Sequence, residues 1–459
     1  MTVHTLDNPY TGETFTAPVT DEAALDATLD AARRAARELA NMTVDERIAV
    51  CERALAKFEA RTDEIAADIT RSMGKPLAQA KGEVGGMAGR WKHMQAIAKE
   101  SLADVVLPKE GFERRIVKTP LGVILDLPAW NYPLLTAVNA VIPALLAGNA
   151  VVIKHSPRTP SCGEHFARAF AEAGAPRGAV SAVFFDYART EKLVADPRID
   201  HVLFTGSVLG GHRIQAAAHE RFLHVGLELG GNDPAYAAAD CDVAKTVENI
   251  VDGAIYNAGQ SCCAVERVYV HRSIYEQFVA AAEPLVRGYV LGDPNDAKTS
   301  LGCIAQPNHP RELDGFVADA IDKGAKLISG GSARAMNGKG RFFEATLLRD
   351  VPQEAELMKK ESFGPILAIA AVDSDEEALA KMNASSLGLT ASIWTSDRDR
   401  ADRMARALEF GTIYMNRCDA LDPALPWTGV KDSGRGVTLS SLGFDALTRP
   451  KAIHFRLAP

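Results

Sequence analysis

From residue 121 onward one texture recurs: a short apolar run, then a segment long enough for a helix. The runs are LGVILDL (121–127), AVVIKH (150–155), AVSAVFF (179–185), HVLFTG (201–206) and LHVGLEL (223–229), and 161–173 is one of the segments between them. Strands that are apolar on both faces and alternate with helices form a parallel sheet covered on both sides. Such a sheet binds ligands beyond the carboxyl ends of its strands. A second α/β series follows Gly231, with VERVYV (265–270), a helix near 273–287, and strands near 325–329, 366–372 and 391–395. Ser374 and Glu377 read as a capping box, and Gly411 as the end of the helix before TIYMN. The first 100 residues read as helices: 22–40 with Leu25, Leu29, Ala32, Ala36 and Leu39 on one stripe, a second opened by a Thr43/Glu46 capping box, and a third near 62–73 stopped by Gly74-Lys75-Pro76. Segments 112–119 and 448–455 read as strands without sequence-local partners; an arm pairing between subunits and an ordinary edge hairpin account for them equally well.

The 459 residues suggest about three domain-sized units. With 47% hydrophobic and 24% charged residues the chain has ample material for a core. A net charge of −8 without long basic runs is a poor match to nucleic acid. Residues 127–153 carry no charge, yet they hold Asn131, Asn139 and Asn149 with Pro128, Pro133 and Pro143, which suits a buried interior and not a lipid span. The N-terminus lacks the pattern of a signal peptide, and the 7 cysteines include no CxxC pair. We therefore expect a protein of the reducing cytoplasm, with no membrane partner, no disulfide scaffold and no metal. His219-Glu220 with His224 is spaced i, i+5, which on a helix separates the two rings and does not match HExxH. Ser72-Met-Gly-Lys75 matches SxxK, but its companion motifs are missing.

Four stretches can carry chemistry. In Asn257-Ala-Gly-Gln-Ser-Cys-Cys263 a cysteine in a polar, Gly-containing segment suits an activated thiolate or a plain buried cysteine. In Leu227-Glu228-Leu-Gly-Gly a carboxylate closes an apolar strand, as a general base with a raised pKa or as the cap of a turn. Pro128-Ala-Trp-Asn-Tyr-Pro133 offers an amide to an oxyanion, or is only a turn with two prolines. Phe204-Thr-Gly-Ser-Val-Leu-Gly-Gly211 follows a strand and opens a helix, where backbone N–H groups can hold phosphate.

Together these stretches resemble the aldehyde dehydrogenase superfamily. The ordered matches are AWNYP (129–133), NAVVIKHSP (149–157), FTGS (204–207), ELGG (228–231), GQSC (259–262), ESFGPI (361–366) and SGRG (433–436), spanning nearly the whole chain. The resemblance implies an α/β fold: a Rossmann-like parallel-sheet cofactor domain (1–108 and 122–230), an α/β catalytic domain (231–432), and a small β oligomerisation arm (109–121 and 445–459) in a homodimer or homotetramer. It implies oxidation of a small-molecule aldehyde to its acid with NAD or NADP. Cys262 is then the nucleophile, Glu228 the general base, and Asn131 with the Cys262 N–H the oxyanion donors. Lys154 takes the adenosine ribose, Gly206 and Ser207 the pyrophosphate, and Glu361 and Phe363 the nicotinamide ribose and ring, with Trp130 and Leu229 also at the cofactor.

An alternative is a semialdehyde-specific enzyme of the succinate semialdehyde type, which would hold a distal carboxylate, with Arg417 as the candidate; a catalytically silent relative is a third reading. Tyr132, Tyr256, Cys418 and Leu421 are further pocket candidates. Ala129 stands where the family usually has proline, and Ser441 where some members have an acid. Pro157 stands where a carboxylate often follows the ribose lysine. With Lys154, His155 and Arg158 nearby and no acid among them, we expect both cofactors to be used, within roughly 100-fold in kcat/KM.

Overall fold

In the computed structural model, which describes residues 3–336 and 338–457, the apolar runs form a six-stranded sheet. Its order is Gly434–Arg435, His224–Glu228, His201–Thr205, Val123–Leu127, Ala150–Ile153, Val180–Ala182. All pairings are parallel except that of Gly434–Arg435, which lies antiparallel on 227–228. Val123–Leu127 and Ala150–Ile153 are buried throughout, as strands with helices on both faces must be. The order reverses between Val123–Leu127 and His201–Thr205, and a ligand crevice opens at such a point beyond the carboxyl ends.

The second series forms a seven-stranded sheet ordered Lys326–Ser329, Thr346–Arg349, Ile366–Val372, Val265–His271, Asp233–Ala237, Thr390–Trp394, Thr412–Met415. It is parallel except at Lys326–Ser329. Each sheet has its own apolar cluster. The uncharged stretch 127–153 resolves into a turn, the helix Pro133–Leu146 and the strand Ala150–Ile153. Among the described residues no helix is long and apolar enough to cross a membrane.

The N-terminal helices are Glu22–Asn41, Val44–Glu59 and Thr62–Met73, followed by a long fourth, Leu77–Ser101. The Thr43 capping box forms as read, with Glu46 N donating to Thr43 Oγ1 at 3.2 Å and Thr43 N to Glu46 Oε2 at 2.7 Å. Gly74 ends the third helix at φ 76°, where a Cβ would lie 2.5 Å from Cys303 Cβ.

Several readings need correction. Ser374 caps its helix, but the Glu377 carboxylate accepts from Asp373 N at 2.7 Å, so the box closes one residue outside the cap. The helix before TIYMN ends at Ala407, and Gly411 serves a close approach instead: a Cβ there would sit 1.7 Å from Thr428 O. The helix Val208–Ala217 stops before His219, so helical spacing does not apply to the His219/His224 pair. The two unpartnered strands pair with each other, Phe112–Pro120 antiparallel to Thr448–Arg456, and Val105–Val106 adds to the far side of Phe112–Pro120.

Candidate active site

Two cavities open between the sheets. The larger, about 370 Å3, collects the carboxyl ends of the first sheet: 127–131, 204–207 and 228–230, with Lys154 and Ser156. Ser207 caps the helix Val208–Ala217 by accepting from Gly210 N at 3.1 Å, so the positive end of that helix faces the cavity. Glu361 and Phe363 reach in from the second sheet. All seven residues expected at the cofactor, Trp130, Lys154, Gly206, Ser207, Leu229, Glu361 and Phe363, line this one cavity.

The donor set suits a dinucleotide. Lys154 is only 4% exposed, and among the described residues its amine makes neither a hydrogen bond nor an ion pair; its Nζ lies 5.2 Å from the centroid of the Tyr187 ring. Burial lowers its pKa to about 8, against the pull of Asp186. A buried ammonium without a protein partner matches ribose hydroxyls or phosphate oxygens. Glu361 accepts from Gly231 N at 3.1 Å through one oxygen, and burial raises its pKa well above the usual range. The Trp130 and Phe363 rings meet edge to face, 5.5 Å between centroids, as walls for a flat ring.

The second cavity, about 320 Å3, lies on the other side of the same residues. The helix Leu77–Ser101 presents Gln79, Glu83 and Arg90 to it from one face, and Pro133–Leu146 presents Leu135, Thr136 and Asn139. The Arg90 Nη1 donates to Leu135 O and to Asn139 Oδ1, both at 3.1 Å. Arg90 pairs with no carboxylate among the described residues, so an arginine that stays protonated faces the cavity.

Four residues line both cavities: Asn131, Thr205, Glu228 and Cys262. Cys262 is placed there by a strained loop. Asn257 and Ala258 hold φ of 55° and 56°, and a Cβ on Gly259 would lie 2.0 Å from Gly364 O. Non-glycine residues in this region cost of order 1–3 kcal/mol each, so other bonds must hold them. Asn257 Nδ2 donates to Gln260 O at 3.0 Å and to Asn131 O at 3.1 Å, and Gln260 Nε2 donates to Asn257 O and Cys303 O, both at 3.1 Å.

The neighbouring thiol points elsewhere: Cys263 Sγ donates to Asp419 Oδ1 at 2.9 Å, and hydrogen bonding with Cys262, together with burial, raises its pKa. Burial lifts Asp419 to about 7. Burial also raises Glu228 above its usual range, against the Thr438 hydroxyl, the Arg90 charge and the Thr205 hydroxyl. Thr438 Oγ1 donates to Glu228 Oε1 at 2.5 Å. The Asn131 side-chain amide makes no hydrogen bond with the described residues although Asn131 is 4% exposed, which leaves it free for a ligand.

Some expectations do not survive. Arg417 is exposed and lines neither cavity; Cys418 packs on the helix Val243–Ile255, its thiol 3.4 Å from Asn249 O. Tyr132, Tyr256 and Leu421 do line the second cavity. Arg158 is tied to Asp7 at 2.6 Å, and His155 is buried 3.0 Å from Pro133 O with its pKa driven to about 4, so of the three basic residues only Lys154 faces the cofactor cavity. Glu191 is a carboxylate on that cavity's wall. Ala129 does not undo its turn, since Thr136 Oγ1 bridges Ala129 O at 3.3 Å and Tyr132 O at 3.0 Å. Ser441 is exposed, and Thr438 is the tail residue that meets Glu228. Among the described residues no cluster of three or more His, Cys, Asp or Glu is placed to hold a metal.

Residues 2–453 match the model of the aldehyde dehydrogenase family. A succinate-semialdehyde dehydrogenase (NADP(+)) of Deinococcus radiodurans is 36% identical over 97% of this chain and 94% of its own length. A succinate semialdehyde dehydrogenase (NAD(P)+) of Escherichia coli is 35% identical over 95% of this chain and 94% of its own. Among solved structures, an NAD-dependent aldehyde dehydrogenase from Sinorhizobium meliloti superposes with a TM-score of 0.96 at 29% identity, covering 100% of this chain and 92% of that one.

Proposed function

This chain belongs to the aldehyde dehydrogenase family and is an NAD(P)-dependent enzyme that oxidises aldehydes; from that premise we propose which residues do the work and which aldehyde they suit. The observation that carries the proposal is the meeting of two cavities at Cys262, Asn131 and Glu228. A dinucleotide in one and an aldehyde in the other touch only there.

The Cys262 thiolate adds to the carbonyl carbon. The Asn131 amide and the Cys262 N–H, which makes no hydrogen bond among the described residues, receive the oxyanion. Lys154 binds the adenosine ribose, Gly206 and Ser207 border the pyrophosphate, Glu361 takes the nicotinamide ribose, and Trp130, Leu229 and Phe363 confine the ring. Held by these residues, a nicotinamide would supply the acceptor for the hydride that leaves the substrate carbon. The thioester on Cys262 is hydrolysed by water that Glu228 deprotonates, its carboxylate held by Thr438 and Thr205. A raised pKa suits Glu228 to that task. A burst of about one equivalent of reduced cofactor, with an acyl group on Cys262 by mass spectrometry when Glu228 is replaced by Gln, tests the assignment; acyl mass on another residue removes it.

A second reading is finer. The relatives named for succinate semialdehyde and the unpaired Arg90 together favour an aldehyde with a distal carboxylate, held by Arg90 in place of the exposed Arg417. Use of both NAD and NADP within roughly 100-fold in kcat/KM now rests on Lys154 and on Arg213, which lines the same cavity, with Glu191 as the opposing carboxylate; steady-state kinetics with each cofactor decides it.

The division into 1–108 with 122–230, 231–432, and 109–121 with 445–459 is supported by the two sheets and by the pairing of Phe112–Pro120 with Thr448–Arg456, a separate sheet that Val105–Val106 joins from just before the 109 boundary. On the latter Val106 is 66% and Phe455 54% exposed, as for an arm that joins subunits into a homodimer or homotetramer. A cytoplasmic location, with no nucleic-acid or membrane partner, fits the charge and cysteine pattern.

A further inference from the structure

The SxxK lysine turns out to be buried. Lys75 and Glu83 form an ion pair in which each side chain is 1% exposed. Two charges taken out of water persist only where further hydrogen bonds complete them. Both partners find those bonds on the same stretch of backbone. Lys75 Nζ donates to Asn131 O at 2.9 Å and sits 4.1 Å above the Tyr132 ring centroid. Glu83 Oε1 accepts from Leu134 N at 2.9 Å, one of the donors that the first turn of the helix Pro133–Leu146 cannot satisfy by itself. The Asn131 carbonyl takes its second donor, Asn257 Nδ2 at 3.1 Å, from the loop that carries Cys262. Lys75 lines neither cavity; Glu83 borders the second cavity, but its two oxygens are taken by Lys75 Nζ and Leu134 N. Among the described residues the Asn131 side chain makes no hydrogen bond, so its backbone decides where its amide points.

We propose that the Lys75–Glu83 pair is a positioning device: it pins residues 131–134 against the Cys262 loop and so fixes the Asn131 amide where the oxyanion forms. This rests on Asn131 being an oxyanion donor. Both bonds act on the backbone either side of Tyr132, whose φ of −131° and ψ of 72° lie outside the helix it precedes. The turn is thus held from the segment 75–83 at Asn131 O and Leu134 N, in addition to the bonds that Thr136 of its own helix makes to Ala129 O and Tyr132 O.

The test is a double-mutant cycle on the first turnover. Lys75→Met with Glu83→Gln removes both charges together and leaves no lone buried ion. In the parent background this lowers the rate of the reduced-cofactor burst about 10-fold to 100-fold, the scale of a misplaced catalytic group, while the cofactor KM stays within about 2-fold. In an Asn131→Ala background the same change costs less than about 2-fold, because the group it positions is gone. An equal loss in both backgrounds overturns the proposal, as does an unchanged burst rate in the parent. Should the paired variant not fold, Lys75→Gln with Glu83→Gln, which keeps a donor for Asn131 O and an oxygen for Leu134 N and leaves no lone buried ion, enters the same cycle with the same criterion. A silent Asn131→Ala variant overturns the reading of Asn131 itself, and is seen in that variant alone.

Discussion

The two parallel sheets face one chamber from opposite ends. The first turns its carboxyl ends inward: 127–131, 204–207 and Glu228 each follow or close a strand. The second turns its amino ends inward: Cys262 comes just before Val265–His271, and Glu361 and Phe363 just before Ile366–Val372. The rule that open sheets bind ligands at carboxyl ends finds Glu228, Asn131 and the larger cavity, proposed above as base, oxyanion donor and cofactor cleft. It does not find Cys262, the proposed nucleophile. Chemistry here arises where two sheets of opposite polarity abut, and each contributes what its ends can hold. A carboxyl end followed by a helix N-terminus holds anions; a strained loop ahead of a strand holds one half-buried thiol.

Breaking the second sheet's contribution gives the largest effect. Cys262→Ala lowers aldehyde oxidation on the order of 10⁴-fold or more, while Cys263→Ala, whose thiol is turned to Asp419, retains most activity in the same absorbance assay. Glu228→Gln stops steady turnover after the first equivalent. In the parent, kcat falls as pH drops through the raised pKa of Glu228, because the carboxyl must be ionised to take a proton, and that limb disappears in the variant. Asn131→Ala costs about 10²–10³ in the first-turnover rate, the usual loss of one oxyanion donor.

Arg90→Met sharpens the comparison at the chamber's far wall. It lowers kcat/KM about 10-fold to 100-fold for an aldehyde with a distal carboxylate, as losing a charge-assisted hydrogen bond should, and changes it little for an unsubstituted aldehyde of equal length. Smallest is the effect of Lys154. Its lowered pKa means the ammonium discharges as pH rises through about 8, so kcat/KM for the cofactor drops several-fold there, and Lys154→Ala flattens that profile.

The cofactor side was legible because each piece is a contiguous motif at the end of one strand, where local backbone fixes what a side chain meets. GQSC, ELGG and AWNYP each name a residue that lines both cavities. The substrate side was not, since it is assembled across the chain. Arg90 lies on a helix read only as part of a helical region, and Gln79, Glu83 and Arg90 share a face that its polar spacing alone signals. Arg417, beside plausible motifs in sequence, points to solvent. Arg158 sits four residues from Lys154, but its charge is spent on Asp7, a partner 151 positions away that no local pattern reveals. The tail residue that meets Glu228 is Thr438, brought there by the antiparallel return of Gly434–Arg435 onto 227–228, a contact that no local pattern reveals.

That return has a consequence for how the protein comes off the ribosome. The edge of the first sheet is completed by Gly434–Arg435, Thr438 then reaches Glu228, Asn149 Nδ2 donates to Leu447 O at 3.0 Å, and Phe112–Pro120 waits for Thr448–Arg456. The segments that open the molecule are therefore translated first and closed last. Through most of synthesis the nascent chain carries a parallel sheet with one edge bare, a bare edge being a template for pairing with another chain. Truncation by a few dozen residues at the C-terminus leaves every catalytic residue encoded but the first sheet unfinished.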